Sequence, residues 1–326
     1  MHPSRTLSAG RMNTENLPLT LSLPLARYRL DWKVTSPIRL PDYAGSMLRG
    51  AFGHALRSIG CITRARDCKG CTLQRGCPYT TLFEPIPPEN HPLQDFSKIP
   101  SAYVITPPEW GARVLHEGDT LSFHFSLVGR AVAELPVAIL AWRRALARGI
   151  GPGDGTADLC SVHLENTVSQ PIYASETGVI LAHDATIVCP PPPEGRVQLE
   201  IRTPLRLQNN GVPLKPQTIG ERALLMALVR RLALVSEFHT DNPWQPDFRQ
   251  LAARAEDIKG RRQLSWRDWK RYSSRQKQEM ALGGVTGRWD LEGELAPFWP
   301  AIWFGQWLHV GKNASFGLGR YRLHLP

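Results

Sequence analysis

Four cysteines fall within a span of 17 residues, Cys61, Cys68, Cys71 and Cys77, spaced C-x6-C-x2-C-x5-C, whereas Cys160 and Cys189 stand alone. Thiols so concentrated serve as metal ligands or as a disulfide framework, and in a chain without a secretory signal disulfides are disfavoured. Two thiolates across a two-residue knuckle, joined by two more, meet the tetrahedral demand of zinc; an iron–sulfur cluster and unliganded thiols are the alternatives. A four-cysteine zinc has no open coordination position, so it would staple its loop and take no part in catalysis.

A second cluster is Gly311-Lys312-Asn313-Ala314-Ser315-Phe316-Gly317-Leu318-Gly319, a glycine loop that also carries a lysine. Glycines let backbone amides approach a phosphate, and Lys312 adds a cation. Gly311, Lys312, Asn313, Ser315, Gly317 and Gly319 are therefore candidate phosphate contacts; the alternative is a tight turn that feeds the last strand. The order excludes a Walker loop, in which lysine follows the glycines, and the spacing does not fit a dinucleotide fingerprint.

Charge gives a third feature. Lys and Arg number 39 against 29 Asp and Glu, a net charge of +10 that suits a polyanionic partner. Residues 259–277 hold eight basic side chains against the single acid Asp268, interleaved with Trp266, Trp269 and Tyr272. Cations for a phosphate backbone beside flat rings for bases suit single-stranded nucleic acid, so Arg267, Trp269, Lys270 and Arg271 are candidate nucleic-acid contacts. A solvated amphipathic element whose tryptophans reach into the core would read the same way.

These features need elements to hold them. With 326 residues, 42% apolar and 21% charged, the chain is long enough for two domains and a substantial core. The longest uncharged apolar run covers residues 135–142, too short to span a bilayer, and residues 1–25 carry no compact apolar core with a cleavage site. A cytoplasmic chain with a flexible tail over 1–25 is expected. The four prolines at 190–193 cannot lie inside a helix or central strand, which places a linker at 190–195 between domains at 26–189 and 196–326, with the cysteine cluster inserted at 61–80.

Each half opens on a period-two strand. Tyr28, Leu30, Trp32 and Val34 alternate with Arg27, Arg29, Asp31 and Lys33, and Val197, Leu199, Ile201 and Thr203 alternate with Gln198, Glu200 and Arg202. Ser36-Pro37-Ile38-Arg39-Leu40 is echoed by Thr203-Pro204-Leu205-Arg206-Leu207. Helical spacing follows both strands, over 43–59 with Leu48, Phe52, Ala55, Leu56 and Ile59 on one face, and over 221–238 behind a capping box Thr218-Ile219-Gly220-Glu221. Strands at 121–127 and 159–168 and a helix at 133–148 complete the first half; a helix at 298–308 and a strand at 318–325 close the second. The repeated order predicts an α+β protein of two tandem ferredoxin-like domains with antiparallel sheets.

Residues 307–321, Trp-Leu-His-Val-Gly-Lys-Asn-Ala-Ser-Phe-Gly-Leu-Gly-Arg-Tyr, preceded by Gly283-Gly284-Val285-Thr286-Gly287, resemble the C-terminal signature of the RAMP endoribonucleases that process CRISPR precursor RNA. Met47-Leu48-Arg49-Gly50-Ala51-Phe52-Gly53-His54-Ala55-Leu56-Arg57, with the cysteine cluster running into Cys77-Pro78-Tyr79, is similar to the N-terminal part of one subgroup of that family. The resemblance implies tandem ferredoxin-like domains that bind CRISPR repeat RNA and cut it once without metal or small-molecule cofactor, leaving a 2′,3′-cyclic phosphate and a 5′-hydroxyl, in antiviral defence and in company with other CRISPR-associated subunits. Residues 85–188 carry no quotable match.

Attack of a 2′-hydroxyl on its own phosphate needs a base, an acid and a cation at the phosphorane. His54 lies about 140° from the apolar stripe of its helix and fits the place where relatives often carry a catalytic histidine. His309, before the glycine loop, is a second candidate acid or base, with a helix C-terminal role as its alternative. Lys312 is the candidate cation, and Tyr43 could orient or deprotonate the hydroxyl or serve only as core or cap. Two other functions remain open at this point: a non-catalytic RAMP subunit that holds guide RNA, and a zinc-stapled DNA-binding module.

Overall fold

The computed structural model describes residues 21–65, 67–86, 99–273 and 278–325, the side chains of 270–273 and 278–281 excepted. The first half runs β1 (Ser22–Val34), β2 (Ile38–Leu40), α1 (Gly45–Gly60), α2 (Pro78–Leu82), β3 (Tyr103–Thr106), β4 (Arg113–Leu115), β5 (Thr120–Val128), α3 (Leu135–Arg148), β6 (Ala157–Glu165), β7 (Ser169–Ala174) and β8 (Thr186–Val188). The second runs β9 (Arg196–Leu205), β10 (Gln208–Asn209), β11 (Val212–Pro213), α4 (Glu221–His239), α5 (Phe248–Arg254), β12 (Lys259–Arg267), β13 (Lys270–Ser273), β14 (Gln278–Ala281), β15 (Gly284–Glu292), α6 (Trp299–Leu308) and β16 (Tyr321–His324).

The main sheets have the order β3-β5-β1-β6-β7 and β12-β15-β9-β16, and every pairing in them is antiparallel. Leaving aside β7 at one edge, both place the first strand between the third and the last, with a helix after the first strand and another after the third. That is the ferredoxin-like arrangement, present twice. Its cause is the period-two alternation: Tyr28, Leu30, Trp32 and Val34 are buried on one face of β1, while Arg27, Arg29 and Asp31 stand half-buried on the other. Likewise Val197, Leu199 and Ile201 of β9 are buried, and Gln198, Glu200 and Arg202 are turned the other way.

Helices α1 and α3 fill the core of the first half, with Phe52 stacked at 4.8 Å on Trp142 and within 5.0 to 6.2 Å of the rings of Phe125, Tyr103 and Phe83. Gly53 is needed beside it, since a Cβ there would overlap the Phe83 ring. One continuous buried cluster runs through both halves.

Several sequence expectations need correction. Ser22–Leu25, assigned to the tail, belong to β1, and Leu23 and Leu25 are buried because the strand's alternation continues to its first residues. The rest of that tail, through residue 20, lies outside the described residues. The capping box does not form: the Thr218 hydroxyl closes a turn with Lys215, and Gly220 caps α4 without a side-chain bond. Glu221 instead accepts from Trp289 Nε1 at 3.3 Å and stands 3.5 Å from Arg262 Nε, so its carboxylate ties α4 to the sheet. The first half does not close at 159–168, because β7 and β8 extend its sheet to six strands. The last strand starts at Tyr321, since Gly317 and Gly319 hold positive φ angles of 101° and 67° that turn the chain before it.

The aromatic nest around Phe52 yields a test. Phe52→Ala should destabilise the chain by about 3 to 5 kcal/mol, the usual range for emptying a fully buried ring, read as a lowered urea midpoint. An unchanged midpoint would show that this nest is not the core.

Candidate functional site

The glycine run is a strapped turn between α6 and β16. His309, Gly311, Asn313, Gly317 and Gly319 all have positive φ, which lets the chain reverse within a few residues. The Lys312 amide donates to Arg206 O at 3.0 Å and the Gly319 amide to Pro204 O at 3.1 Å, so the end of β9 takes up two of the loop's donors. The Phe316 and Gly317 amides bond within the loop, to Asn313 O and Ala314 O. The tight-turn alternative therefore accounts for much of the glycine content, and fewer amides face outward than the sequence suggests.

Two hydroxyls fix the turn from opposite sides. Tyr43 Oη donates to Phe316 O at 3.0 Å, and Thr203 Oγ1 donates to Gly317 O at 2.8 Å while accepting from the Arg320 amide at 2.9 Å. Tyr43 precedes α1 in the first half; Thr203 lies in β9 of the second. A Cβ on Gly45 would overlap Phe316 O, and one on Gly317 would overlap Tyr43 Oη. Glycine at both positions allows the first turn of α1 to rest directly on the loop.

Beside this contact is a small cavity of about 20 Å³, lined by Tyr43, Thr106, Glu109, Trp110, Arg202, Thr203 and Arg320 among others. Arg320 Nη1 stands 4.0 Å from Glu109 Oε1. Thr106 pairs with His124, and His124 with Arg29, so these side chains share the helix-free face of the first sheet. His124 Nε2 bonds Glu165 Oε2 at 2.8 Å, and Arg29 pairs with both Asp31 and Glu165.

Cations crowd this junction. Burial, and then Arg320, bring the Arg27 guanidinium down to about 10; burial, and then Arg27, bring His124 down to about 4. Arg320 is lowered by burial, with Arg202 adding to the effect against the opposing pull of Glu109. Glu165 is below the usual carboxylate range although burial favours its neutral form, because His124, Arg29 and Arg27 outweigh that cost. Arg27 Nε and His309 Nδ1 are buried without a hydrogen-bond partner among the described residues.

The sequence candidates fall into several places. Tyr43 is 3% exposed and its phenol is pushed well above the ordinary value by burial, which suits a strut and not a base. His309, 1% exposed, is driven well below the usual histidine value by burial and by Arg320, Arg27 and Arg231, so it is neutral under the loop. The carbonyl before it, Leu308 O, is capped by Arg231 at 3.2 Å, so the helix-end task foreseen for the histidine falls to an arginine. His54 is exposed on α1, nine residues past Gly45, about 13 Å along the axis from the loop contact.

Lys312 is exposed, with Gly311, Asn313 and Ser315 half-buried beside it. Arg267 lies 4.0 Å over the Trp110 ring, and half-buried Trp269 packs at 4.9 Å against Tyr43 and 6.0 Å from Trp110. Trp269 thus joins the basic hairpin to the α1–loop contact. Lys270 and Arg271 lie on β13, their side chains outside the described residues. Cys61, Cys68, Cys71 and Cys77 surround a separate cavity of about 290 Å³ at the other end of α1.

Sequence reasoning missed Arg27, His124, Glu165, Arg202, Thr203 and Arg320 as site residues. For Arg27, His124 and Arg202 the signal was the polar side of the strand alternation, which marks an outward face without saying that two such faces meet; Arg320 stood in the glycine signature without being singled out.

Two ferredoxin-like units joined at a basic, glycine-strapped junction define a tandem RAMP-fold protein. Residues 199–321 match the family described as CRISPR-associated endoribonuclease Cas6, and residues 23–185 match a family described as an N-terminal domain. By that match the second half of the chain, residues 199–321, belongs to the Cas6 family. Among solved structures it is similar to a product complex of Thermus thermophilus Cas6, with a TM-score of 0.55 and 15% identity over 92% of this chain and 100% of that one. It is also similar to a partial Cas6-RT-Cas1–Cas2 complex, with a TM-score of 0.55 and 14% identity, covering 94% of this chain and only 47% of that one. In the further Cas6-RT-Cas1–Cas2 complex the chain spans 29% of its counterpart. No curated protein matches it by sequence. Among the described residues no helix is long and apolar enough to cross a membrane.

The neutral histidines fix an acid sensitivity. His124 and His239 sit at about 4 in the folded chain, against about 6.5 when unfolded, both chiefly through burial. Below pH 6.5 the unfolded state binds these protons first, so stability is full above that pH and falls as pH drops toward 4. His239→Gln should flatten that decline by up to ~1.4 kcal/mol per pH unit in urea titrations run from pH 7 to 4.5. Parallel slopes for the two proteins would mean that His239 titrates normally.

Proposed function

We propose that this Cas6-family chain binds CRISPR repeat RNA and cuts the precursor transcript at the junction of its two halves, without a catalytic metal. The observation that carries the reading is the convergence of Arg202 and Arg320 on one cavity with Tyr43 and the strapped glycine loop, backed by Arg27. A scissile phosphate is the ligand that this excess of guanidinium suits, and the related Cas6 structures are described as product and substrate-mimic complexes.

In the reaction the 2′-oxygen forms a bond to the adjacent phosphorus as the bond to the 5′-oxygen breaks. The 2′-hydroxyl proton passes to a base, and the leaving oxygen takes a proton from an acid, giving 2′,3′-cyclic phosphate and 5′-hydroxyl ends. His124 is kept neutral at pH 7; with Nε2–H on Glu165, Nδ1 would be the ring atom that accepts the proton. Arg202 and Arg320 would meet the charge that builds on the phosphorane, where a fixed cation counts most. Lys312, Arg267 and the hairpin bearing Lys270 and Arg271 would hold flanking phosphates, and Tyr43 would keep the loop in place. Other CRISPR-associated subunits would be its partners in the cell.

A second reading, a non-catalytic RNA holder, draws support from the burial of His309 and Tyr43 and from the distance of His54 from the loop. The deciding experiment is incubation of the full chain with labelled repeat RNA in EDTA. Cleavage should persist, and a single 2′-deoxy substitution upstream of the cut should abolish it while binding remains. His124→Ala should lower the rate by about 10²- to 10⁴-fold with little change in affinity, whereas His54→Ala leaves it unaltered. The reverse pattern would return the proton transfer to His54; tight binding with no cleavage would establish the holder.

Salt dependence separates phosphate contacts from packing. Arg202→Ala with Arg320→Ala should make the log-log salt slope of RNA affinity shallower by about one to one and a half, at ~0.7 per lost contact. Equal slopes would place the RNA elsewhere.

A further inference from the structure

We propose that Cys61, Cys68, Cys71 and Cys77 bind one zinc ion as a closed four-thiolate staple that fixes the C-terminal end of α1. The spacing admits such a site, and the fold adds an independent observation. Among the described residues of 61–77 none is buried, and the only ones turned even half inward are the four cysteines and Gln74. This loop has no apolar centre of its own; its thiols occupy the place where one would be.

All four line the same cavity of about 290 Å³, ample for an ion and its ligand atoms. Cys61 directly follows α1, and Cys77 Sγ lies 3.8 Å from Gly60 O at that helix's last residue. Cys68 and Cys71 form a knuckle, closed by the Cys71 amide on Cys68 O at 3.2 Å. Thr63 Oγ1 stands between Cys61 Sγ at 3.9 Å and Cys71 Sγ at 3.7 Å. The thiols are free, and no three such groups among the described residues are already gathered as a metal site. Binding therefore draws the sulfurs inward past the Thr63 hydroxyl and releases their protons, the coupling of metal uptake to local folding usual for small thiolate sites.

What the staple would secure is visible around it. Arg57 of α1 donates from Nη2 to Ala65 O at 2.6 Å and lies 5.6 Å over the Tyr79 ring, while the loop returns through Cys77 directly into α2. Tyr79 and Phe83 then pack beside Phe52 and Gly53. The zinc would close the chain from the last turn of α1 to the first of α2, far from the glycine loop, so it is structural and has no step in RNA cleavage.

The test is metal analysis of the freshly purified full chain under reducing conditions, followed by chelator stripping and titration with zinc or cobalt. About one zinc per chain is expected. Cobalt should give the intense visible bands of a tetrahedral thiolate site, and zinc should displace them. Cys68→Ser with Cys71→Ser should lose the metal and melt lower, whereas Cys160→Ser keeps both. Failure of the stripped chain to take up zinc, an octahedral cobalt spectrum, native iron, or retention of zinc by the double variant would each overturn the proposal. Because the cobalt spectrum is read on the unaltered chain, an insoluble variant does not block the answer.

Discussion

Adjacent carbonyls of the glycine loop, Phe316 O and Gly317 O, are held by hydroxyls from different halves of the molecule, Tyr43 and Thr203. The rest of the site depends on this pair of bonds. They set α1 of the first half against the last turn of the second, and Gly45 and Gly317 make the approach close enough for a phenol to reach a carbonyl. Buried hydrogen bonds of this kind add only about 1 kcal/mol each, yet leaving either carbonyl unpaired costs more, so the register between the halves is well specified. With that register fixed, Arg320, one residue after the last glycine, is carried to the cavity edge beside Arg202.

The second constraint is electrostatic. Arg27 and Arg320 are largely buried, where solvent screening is weak, so each raises the cost of protonating the other, and exposed Arg202 adds to the effect on Arg320. Glu165 and Glu109 offset part of this charge, but Glu165 is already bound to His124 and Arg29. The unbalanced remainder is positive, which is what the proposed phosphate would relieve. The same field keeps His124 and His309 neutral, so the cations that would attract RNA also set the protonation state of the imidazoles below them.

Much of the fold could be read locally. The alternation of β1 and β9, the apolar stripe of α1 and the repeated element order together pointed to paired ferredoxin-like sheets, because each is a short-range pattern that burial enforces. The misses were of other kinds. β7 is exposed over its first half, so Ser169–Ala174 carries no clean alternation. The Thr218–Glu221 box was spelled correctly, but Trp289 and Arg262 compete for the carboxylate, and tertiary contacts prevailed over the local motif. Among the candidate site residues, those recognised lay inside compact motifs; Arg320 stood at the end of one without being singled out, and those at positions 27, 124 and 202 are brought to it only by topology.

That distinction bears on which groups can do chemistry. A tyrosine and a histidine next to a glycine-rich signature look like acid and base in one dimension, yet in three dimensions both are buried, and the phenol is already committed to a carbonyl. Their neutrality at pH 7 follows chiefly from burial, with neighbouring arginines adding to it for the histidine. Under the proposed function, proton transfer would fall to a histidine less deeply buried than these, and charge compensation to side chains long enough to follow a moving phosphate. His124, whose side chain is 23% exposed, and the arginines suit those two roles, so the proposed cleft takes in the polar face of the first sheet as well as the glycine loop.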